Sequence, residues 1–321
     1  MAPLVFVTRR LPDPGVEPLR RAGFEIRVHD EDRPLTRDEL VAGVADASAL
    51  LCMLSDRIDG ALLDVAPQLR VISNFAVGFD NIDVAEARRR GVEVTTTPGV
   101  LTDATADLAW SLLLAAARCL IPGEQMVRSG QWSGWAPTQL LGQPLRGQTL
   151  GIVGMGAIGR AVAQRAQGFG MEILYFNRNR VHPEFESSLG AQFVAFDELV
   201  TRSDVISLHA PLNEESRHLF DKRAFARMKP TAVLVNTARG ALIDEAELVA
   251  ALRDRRIFAA GLDVYEYEPQ VTEGLLALDN VVLAPHIGSA STRARGDMVR
   301  LCCENIAAVL EGRPAITPAP L

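Results

Sequence analysis

The segment LGIVGMGAIG, Leu150 to Gly159, decides the fold. Leu150-Gly-Ile-Val153 is a short apolar run of strand length, and the residues from the turn through Phe169 follow a helical pattern. Between the two lies GMGAIG, Gly154 to Gly159. A lone G-x-G-x-x-G is weak evidence. One that leaves a strand, opens a helix and completes a unit of about 30 residues reads as a turn that receives a dinucleotide's pyrophosphate. Gly154 permits the tight turn, Gly156 lets the backbone approach the phosphates, and Gly159 lets helix and strand pack closely. The helix N-terminus adds free N–H groups and the positive end of a dipole. Met155, Ala157 and Ile158 complete this cofactor-binding turn.

The alternation continues on both sides. Downstream, Ile173–Phe176, Val205–Leu208, Val233–Asn236, Ala260–Leu262 and Val281–Leu283 read as strands. Asp244-Glu-Ala-Glu247 starts a helix, and a last helix runs from about Ser291 to Leu310. Upstream, Leu4–Val7, Phe24–Val28, Ala49–Leu54, Val71–Ser73 and Val92–Val94 read as strands. Thr36-Arg-Asp-Glu39 and Asp83-Val-Ala-Glu86 have capping-box form, and Gly91 stands where a helix end favours a left-handed residue. Short apolar strands alternating with helices predict parallel sheets covered on both faces. The expected class is α/β, with two doubly wound parallel-sheet domains. Thr102 to Arg118 is a helix pattern apolar all round, which predicts packing between domains or between subunits. Gly130–Pro144 reads as irregular. It holds Trp132 and Trp135, two of the three tryptophans, which suggests a contact surface.

The 321 residues are 48% hydrophobic and 23% charged, with a formal net charge of -7, an ordinary globular balance with room for two cores. The longest basic run, Arg88–Arg90, closes a helix before Gly91, where it suits the dipole, so no nucleic-acid partner is expected. No apolar run approaches the roughly 18 residues of a membrane span, and MAPLVFVTRR reads as a first strand, not a signal peptide. Cys52, Cys119, Cys302 and Cys303 lack metal-ligand spacing and read as reduced thiols of a cytoplasmic protein. No His/Asp/Glu/Cys cluster suggests a metal.

About 20 residues past a dinucleotide turn, an Asp or Glu commonly holds the ribose 2′-hydroxyl of NAD. Here the chain reads YFNRNR, Tyr175 to Arg180. Asn177 is neutral and still hydrogen-bonds. Arg178 offers a planar, permanently charged fork suited to phosphate oxygens, and Arg180 adds charge. The pattern predicts preference for NADP(H), with NAD(H) possible; the alternative is that both arginines only solvate a loop.

Three later segments place polar residues just past strands: VNTARGALID with Arg239, GLDVYEYEP with Glu268, and LAPHIGSAS with His286. In an open α/β sheet, ligands collect outside the carboxyl ends of the strands. An Arg, an acid and a His gathered there could anchor a carboxylate, tune an imidazole and move a proton.

With these motifs the chain resembles the D-isomer-specific 2-hydroxyacid dehydrogenases, most closely the glyoxylate/hydroxypyruvate reductase branch. The likeness runs through AVGFDNID (Ala76 to Asp83), TPGVLTDATADLAWSLLLAAAR (Thr97 to Arg118), QWSGWAP, LGIVGMGAIG, HAPL (His209 to Leu212), NTARG, GLDVYEYEP and PHIGSAS. It implies a Rossmann cofactor domain, residues 100–286, inserted into a flavodoxin-like substrate-binding domain, residues 1–99 and 287–321. It also implies a homodimer and reduction of a small 2-oxo acid to the 2-hydroxy acid.

The resemblance implies roles for single residues. His286 would donate the proton, as an imidazole with a pKa near neutrality can. Glu268 would hydrogen-bond its other ring nitrogen, chosen over Glu266 by motif register. Arg239 would grip the substrate carboxylate and polarise the carbonyl. Backbone N–H groups of Val77 and Gly78 would hold the same carboxylate, and Leu54 and Ser289 would shape the pocket with Trp135 of the partner subunit. On the cofactor side, Asp263 would bond the nicotinamide carboxamide. Thr105, Asn177, Arg178, Asn179, His209, Pro211, Thr237 and Gly288 would line the cofactor cleft.

Three alternatives stay open. 3-Phosphoglycerate dehydrogenase shares the chemistry but wants an acid in place of Asn177, and its long forms carry a further domain that this length leaves no room for. Formate and phosphite dehydrogenases share the fold with poorer agreement of segments. Related transcriptional corepressors use the same fold and trio as a dinucleotide-gated binding module.

Overall fold

The computed structural model describes residues 2–320, and the chain divides into two compact units. One runs up to Leu101 and resumes at Ser289; the other is Thr102–Gly288. The crossings fall two residues later than the motifs suggest. Physically, a helix opens at Thr102, and the Asp263 carboxylate takes the N–H groups of Ile287 and Gly288, tying both to the second unit.

The first unit carries β1 (Leu4–Val7), β2 (Glu25–Val28), β3 (Ala49–Cys52), β4 (Val71–Asn74) and β5 (Glu93–Thr95). They form one parallel sheet in the order β2-β1-β3-β4-β5, the flavodoxin-like order. Alternate residues of one strand serve opposite faces. Phe6, Leu50, Cys52 and Ile72 enter one core, and Val5, Val7, Leu51 and Val71 enter the other. Burial on both faces is why these strands read as unbroken apolar runs. The helix Thr292–Leu310 closes the second face with Val299, Cys302, Cys303 and Ile306. Thr36 and Glu39 form the full capping box. Asp83 caps the Glu86 N–H, but the Glu86 side chain turns instead to Arg89 and Arg90.

The second unit carries β6 (Thr149–Val153), β7 (Glu172–Phe176), β8 (Ala191–Phe193), β9 (Val205–Leu208), β10 (Val233–Asn236), β11 (Ala259–Leu262) and β12 (Val281–Leu283). Its parallel order, β12-β11-β10-β9-β6-β7-β8, is the doubly wound dinucleotide-binding arrangement with the switch point between β6 and β9. Neither the short edge strand β8 nor the helix Leu120–Arg128 was expected from the pattern.

The helix Thr102–Ala117 belongs to this unit rather than to a boundary. Ala106, Ala109, Trp110, Leu112 and Leu113 pack into one core with Ile152, Val233, Val235 and Ala259 of the sheet. Trp110 donates its ring N–H to the Val162 carbonyl at 3.1 Å and stacks on Phe169 at 4.4 Å. Enclosure by its own sheet and by the helix Ala157–Gly168 explains why the pattern is apolar all round. The stretch Gly130–Pro144 is irregular, with Trp132 and Trp135 exposed. Among the described residues, no single helix is long and apolar enough to cross a membrane.

Candidate active site

Parallel strands put all their carboxyl ends on one edge, and at that edge the second unit gathers its chemistry. After β6 the chain turns at Gly154, at φ 98°, where an added Cβ would lie 2.5 Å from the Ala210 nitrogen. An added Cβ on Gly159 would lie 2.2 Å from the Gly154 oxygen, while one on Gly156 would meet nothing within 4 Å. Gly154 and Gly159 are therefore packing positions, and Gly156 is the open side of the cradle. Gly156 also N-caps the helix Ala157–Gly168 and, having no side chain, gives its first N–H groups no capping bond. Met155 is buried, and its N–H donates to Asn177 Oδ1 at 2.7 Å. Asn177 thus ties the end of β7 to the turn.

Arg178 and Asn179 are exposed. Arg178 lies 3.8 Å from Glu215, with both side chains more than 70% exposed, a loose surface pair. Arg180 is different. It makes a two-pronged pair with Glu186 at 2.7 Å, and Glu186 also accepts from the Tyr175 hydroxyl. These partners hold the Glu186 carboxyl down at about 2. Arg180 is committed to its own unit and does not add the free charge expected of it.

Past β9, His209 donates its backbone N–H to Val153 at 2.7 Å, and its Nε2 faces Ser207 Oγ at 2.8 Å. Burial pushes its imidazole down to about 3, so the ring is neutral at physiological pH. The Pro211 carbonyl accepts from the Ser216 hydroxyl at 2.8 Å. Past β10, buried Asn236 shapes the turn, donating to the Arg239 carbonyl at 2.8 Å and accepting from Ala238 N–H at 3.0 Å. Thr237 is 8% exposed, and its hydroxyl is buried without a partner among the described residues. Arg239 donates to the Ala238 carbonyl at 2.8 Å.

His286 sits in the left-handed region, φ 54°, a conformation that a non-glycine residue keeps only when its surroundings hold it. The holder is Asp263, 1% exposed. Its carbonyl accepts the His286 N–H at 2.9 Å, and its two carboxylate oxygens accept Ile287 and Gly288 N–H, each at 2.7 Å. Burial pushes the Asp263 carboxyl up, while these N–H bonds and His286 pull against it. Both oxygens are engaged within the chain. Thr105 packs beside this turn, its Cγ2 3.4 Å from where a Gly288 Cβ would lie.

The imidazole Nδ1 of His286 faces Glu268 Oε2 at 2.8 Å, and Glu268 Oε1 accepts the Tyr265 N–H at 2.9 Å. Burial alone would raise the Glu268 carboxyl; the His286 bond and charge, the Tyr265 N–H and the Arg239 charge outweigh it and leave it below the ordinary value. Glu266 turns elsewhere, to His218 Nε2 at 2.6 Å. With Nδ1 taken by Glu268, Nε2 is the ring atom left to give or receive a proton.

The first unit places Leu54 after β3, Val77 and Gly78 after β4, and Ser289 ahead of the helix Thr292–Leu310, all partly buried. Two residues missed in the sequence hold its loops. Buried Asn74 donates to the Gly78 carbonyl at 2.8 Å, and Asn81 donates to the carbonyls of Met53 and Asp56. The Asn of AVGFDNID was the available clue. Trp135 is 84% exposed.

The sequence model described as D-isomer specific 2-hydroxyacid dehydrogenase, NAD binding domain, matches residues 110–288. A glyoxylate reductase of Thermococcus gammatolerans is 50% identical over 316 residues, covering 97% of this chain and 94% of its own. The crystal structure of a glyoxylate reductase from Paecilomyes thermophila is similar with a TM-score of 0.90 at 35% identity, over 99% of this chain and 98% of that one. An NADPH-dependent glyoxylate/hydroxypyruvate reductase of Sinorhizobium meliloti, solved with NADP and malonate, gives 0.85 at 34% identity, over 99% and 97%.

Proposed function

Since the chain belongs to the D-isomer-specific 2-hydroxyacid dehydrogenases, we propose that it reduces glyoxylate or hydroxypyruvate to the 2-hydroxy acid, with NADPH preferred to NADH. The class, an NAD(P)-dependent oxidoreductase, follows from the family. The observation that carries the site is the His286–Glu268 pair at 2.8 Å, set on the same sheet edge as Arg239 and the glycine turn.

The residues suit a dinucleotide. Gly156 leaves its side of the turn open, the helix behind it has no side-chain cap, and the Thr237 hydroxyl is buried at the same edge without a partner among the described residues. The nicotinamide, when bound, supplies the hydride for the carbonyl carbon. His286 gives its Nε2 proton to the carbonyl oxygen as charge builds there. Glu268 stabilises the imidazolium before transfer and holds the ring through Nδ1. Arg239 grips the substrate carboxylate as a two-pronged donor and polarises the carbonyl. Asp263 acts first on the chain itself, holding the turn that presents His286; contact with the carboxamide is a further part of the proposal.

NADPH preference rests on Asn177 and Arg178. Asn177 carries no charge to repel a 2′-phosphate, and the exposed Arg178 is only loosely paired with Glu215. Leu54, Val77, Gly78 and Ser289 carry the proposed substrate contacts of the first unit. A cytoplasmic homodimer completes the reading, with Trp135 of the partner subunit at the pocket. Exposed Leu120, Val127, Trp132 and Leu141 supply apolar surface for it.

The test is initial-rate reduction of glyoxylate and of hydroxypyruvate, each with NADPH and NADH. Turnover favouring NADPH supports both the reaction and the reading of Asn177 and Arg178. Turnover favouring NADH keeps the class and returns Arg178 to a solvated loop. Absence of turnover with both acids moves the activity to another 2-oxo acid.

A further inference from the structure

Glu268 is carried by a loop that leaves β11 at Asp263, and the aim of its carboxylate depends on how that loop is held. Glu245, the first residue of the helix Glu245–Arg253, is only 3% exposed. Its Oε1 accepts the Glu266 N–H at 2.8 Å, and its Oε2 accepts the Thr272 hydroxyl. One carboxylate therefore brackets the loop, two residues before Glu268 and four after it. Burying a charge is costly without partners. Here two hydrogen bonds and the positive end of a helix offset that cost.

Other contacts fix the same segment. Glu266, its side chain 6% exposed, faces His218 at 2.6 Å and Arg217 at 3.6 Å, so it is turned from His286. A Cβ on Gly240 would lie 1.9 Å from the Tyr265 carbonyl carbon, so the turn after Arg239 runs backbone to backbone against the loop. The Tyr265 hydroxyl donates to the Ala284 carbonyl at 2.9 Å, two residues before His286. Asp263 and Arg239 are the other charges acting on the His286–Glu268 pair.

We infer that Glu245 is a positioning residue for proton transfer: by bracketing the loop it sets the aim of Glu268 on His286 Nδ1, and with it the pH dependence of turnover. The inference rests on the proposed role of His286. Loosening the aim of Glu268 should act on turnover as loss of its carboxylate does, so the pH profile of kcat should move in the direction of the E268Q profile.

The experiment compares full-length E245A, E245Q, E268Q and E245A/E268Q across pH 5–9, with glyoxylate and NADPH. NADPH binding is read by fluorescence and folding by circular dichroism. E245A removes both bonds; its kcat should fall about 10–100-fold, with NADPH affinity near normal and the pH profile displaced in the direction E268Q displaces it. E245Q keeps an acceptor for Glu266 N–H and a group for the Thr272 hydroxyl, and should restore the native profile. The double variant should show no further displacement beyond E268Q. A folded E245A with a native profile overturns the inference, as does a displacement that adds to that of E268Q. If E245A does not fold, T272V removes one bond alone; a smaller displacement in the same direction supports the inference, and a native profile overturns it. H286A separates the two levels, because near-normal turnover there sinks the proposed role of His286 whatever E245A does.

Discussion

Protonating His209 should cost the second unit stability at a pH well above that at which its carboxylates titrate. Burial lowers its pKa from an ordinary 6.5 to about 3 in the fold. A base whose folded pKa is depressed contributes nothing adverse above its unfolded pKa. Below it the unfolded chain binds a proton that the folded chain refuses, so stability is lost as pH falls from 6.5 toward 3. At pH 5 the full shift corresponds to about 2 kcal/mol, and partial solvent contact trims this to between about 1 and 2. The assay is urea unfolding at pH 7.5 and pH 5.0, followed by tryptophan fluorescence, for the native chain and H209Q. Trp110, 5% exposed and stacked on Phe169, reports the core of this unit. Glutamine can still meet Ser207 Oγ but does not titrate. The native chain should lose about 1–2 kcal/mol more than H209Q between the two pH values. Ion pairs such as Arg33–Glu39 and Arg180–Glu186 are common to both chains and cancel. Equal losses would refute the claim that burial keeps the ring neutral. Because the His209 backbone closes on Val153 and packs against Gly154, the native chain should also lose dinucleotide affinity in that window.

Other outcomes are equally specific. Arg178→Ala should raise KM for NADPH about tenfold, the worth of one charge-assisted bond, and leave NADH unchanged; a parallel loss with both cofactors argues against a 2′-phosphate contact. N177D keeps an acceptor for the Met155 N–H while adding a charge that repels a 2′-phosphate, so the kcat/KM ratio should swing toward NADH. His286→Ala should lower kcat by about 100- to 10,000-fold at unchanged NADPH affinity, measured by steady-state rates and fluorescence titration. Asp263→Ala strips the acceptors from Ile287 and Gly288 N–H; at about 1–3 kcal/mol per stranded donor, the melting temperature should drop by several degrees and kcat should fall with it.

Local order made much of this chain legible. The dinucleotide turn is complete within one strand–turn–helix unit, so glycine spacing and flanking periodicity suffice. The parallel strands announce themselves because both faces are buried. What lacked a local pattern was missed: β8 is the three-residue edge strand AQF, and the helix Leu120–Arg128 opens at Cys119 with φ 51° and no side-chain cap.

The site divides the same way. Arg239, Glu268 and His286 could be named from motifs just past strands, because parallel strands bring their carboxyl ends to one edge whatever the partners there. Why Arg180 is committed to Glu186 and that Asp263 holds the His286 turn are contacts between residues 6 and 24 positions apart, each with at least one partner on irregular backbone. Their geometry follows no period that spacing could reveal. The chain by itself therefore determined the two sheets, the phosphate turn and the residues available for chemistry. Only the folded structure decided how those side chains pair, because hydrogen bonding and burial act through space at distances of about 3 Å, after packing has chosen which loops meet.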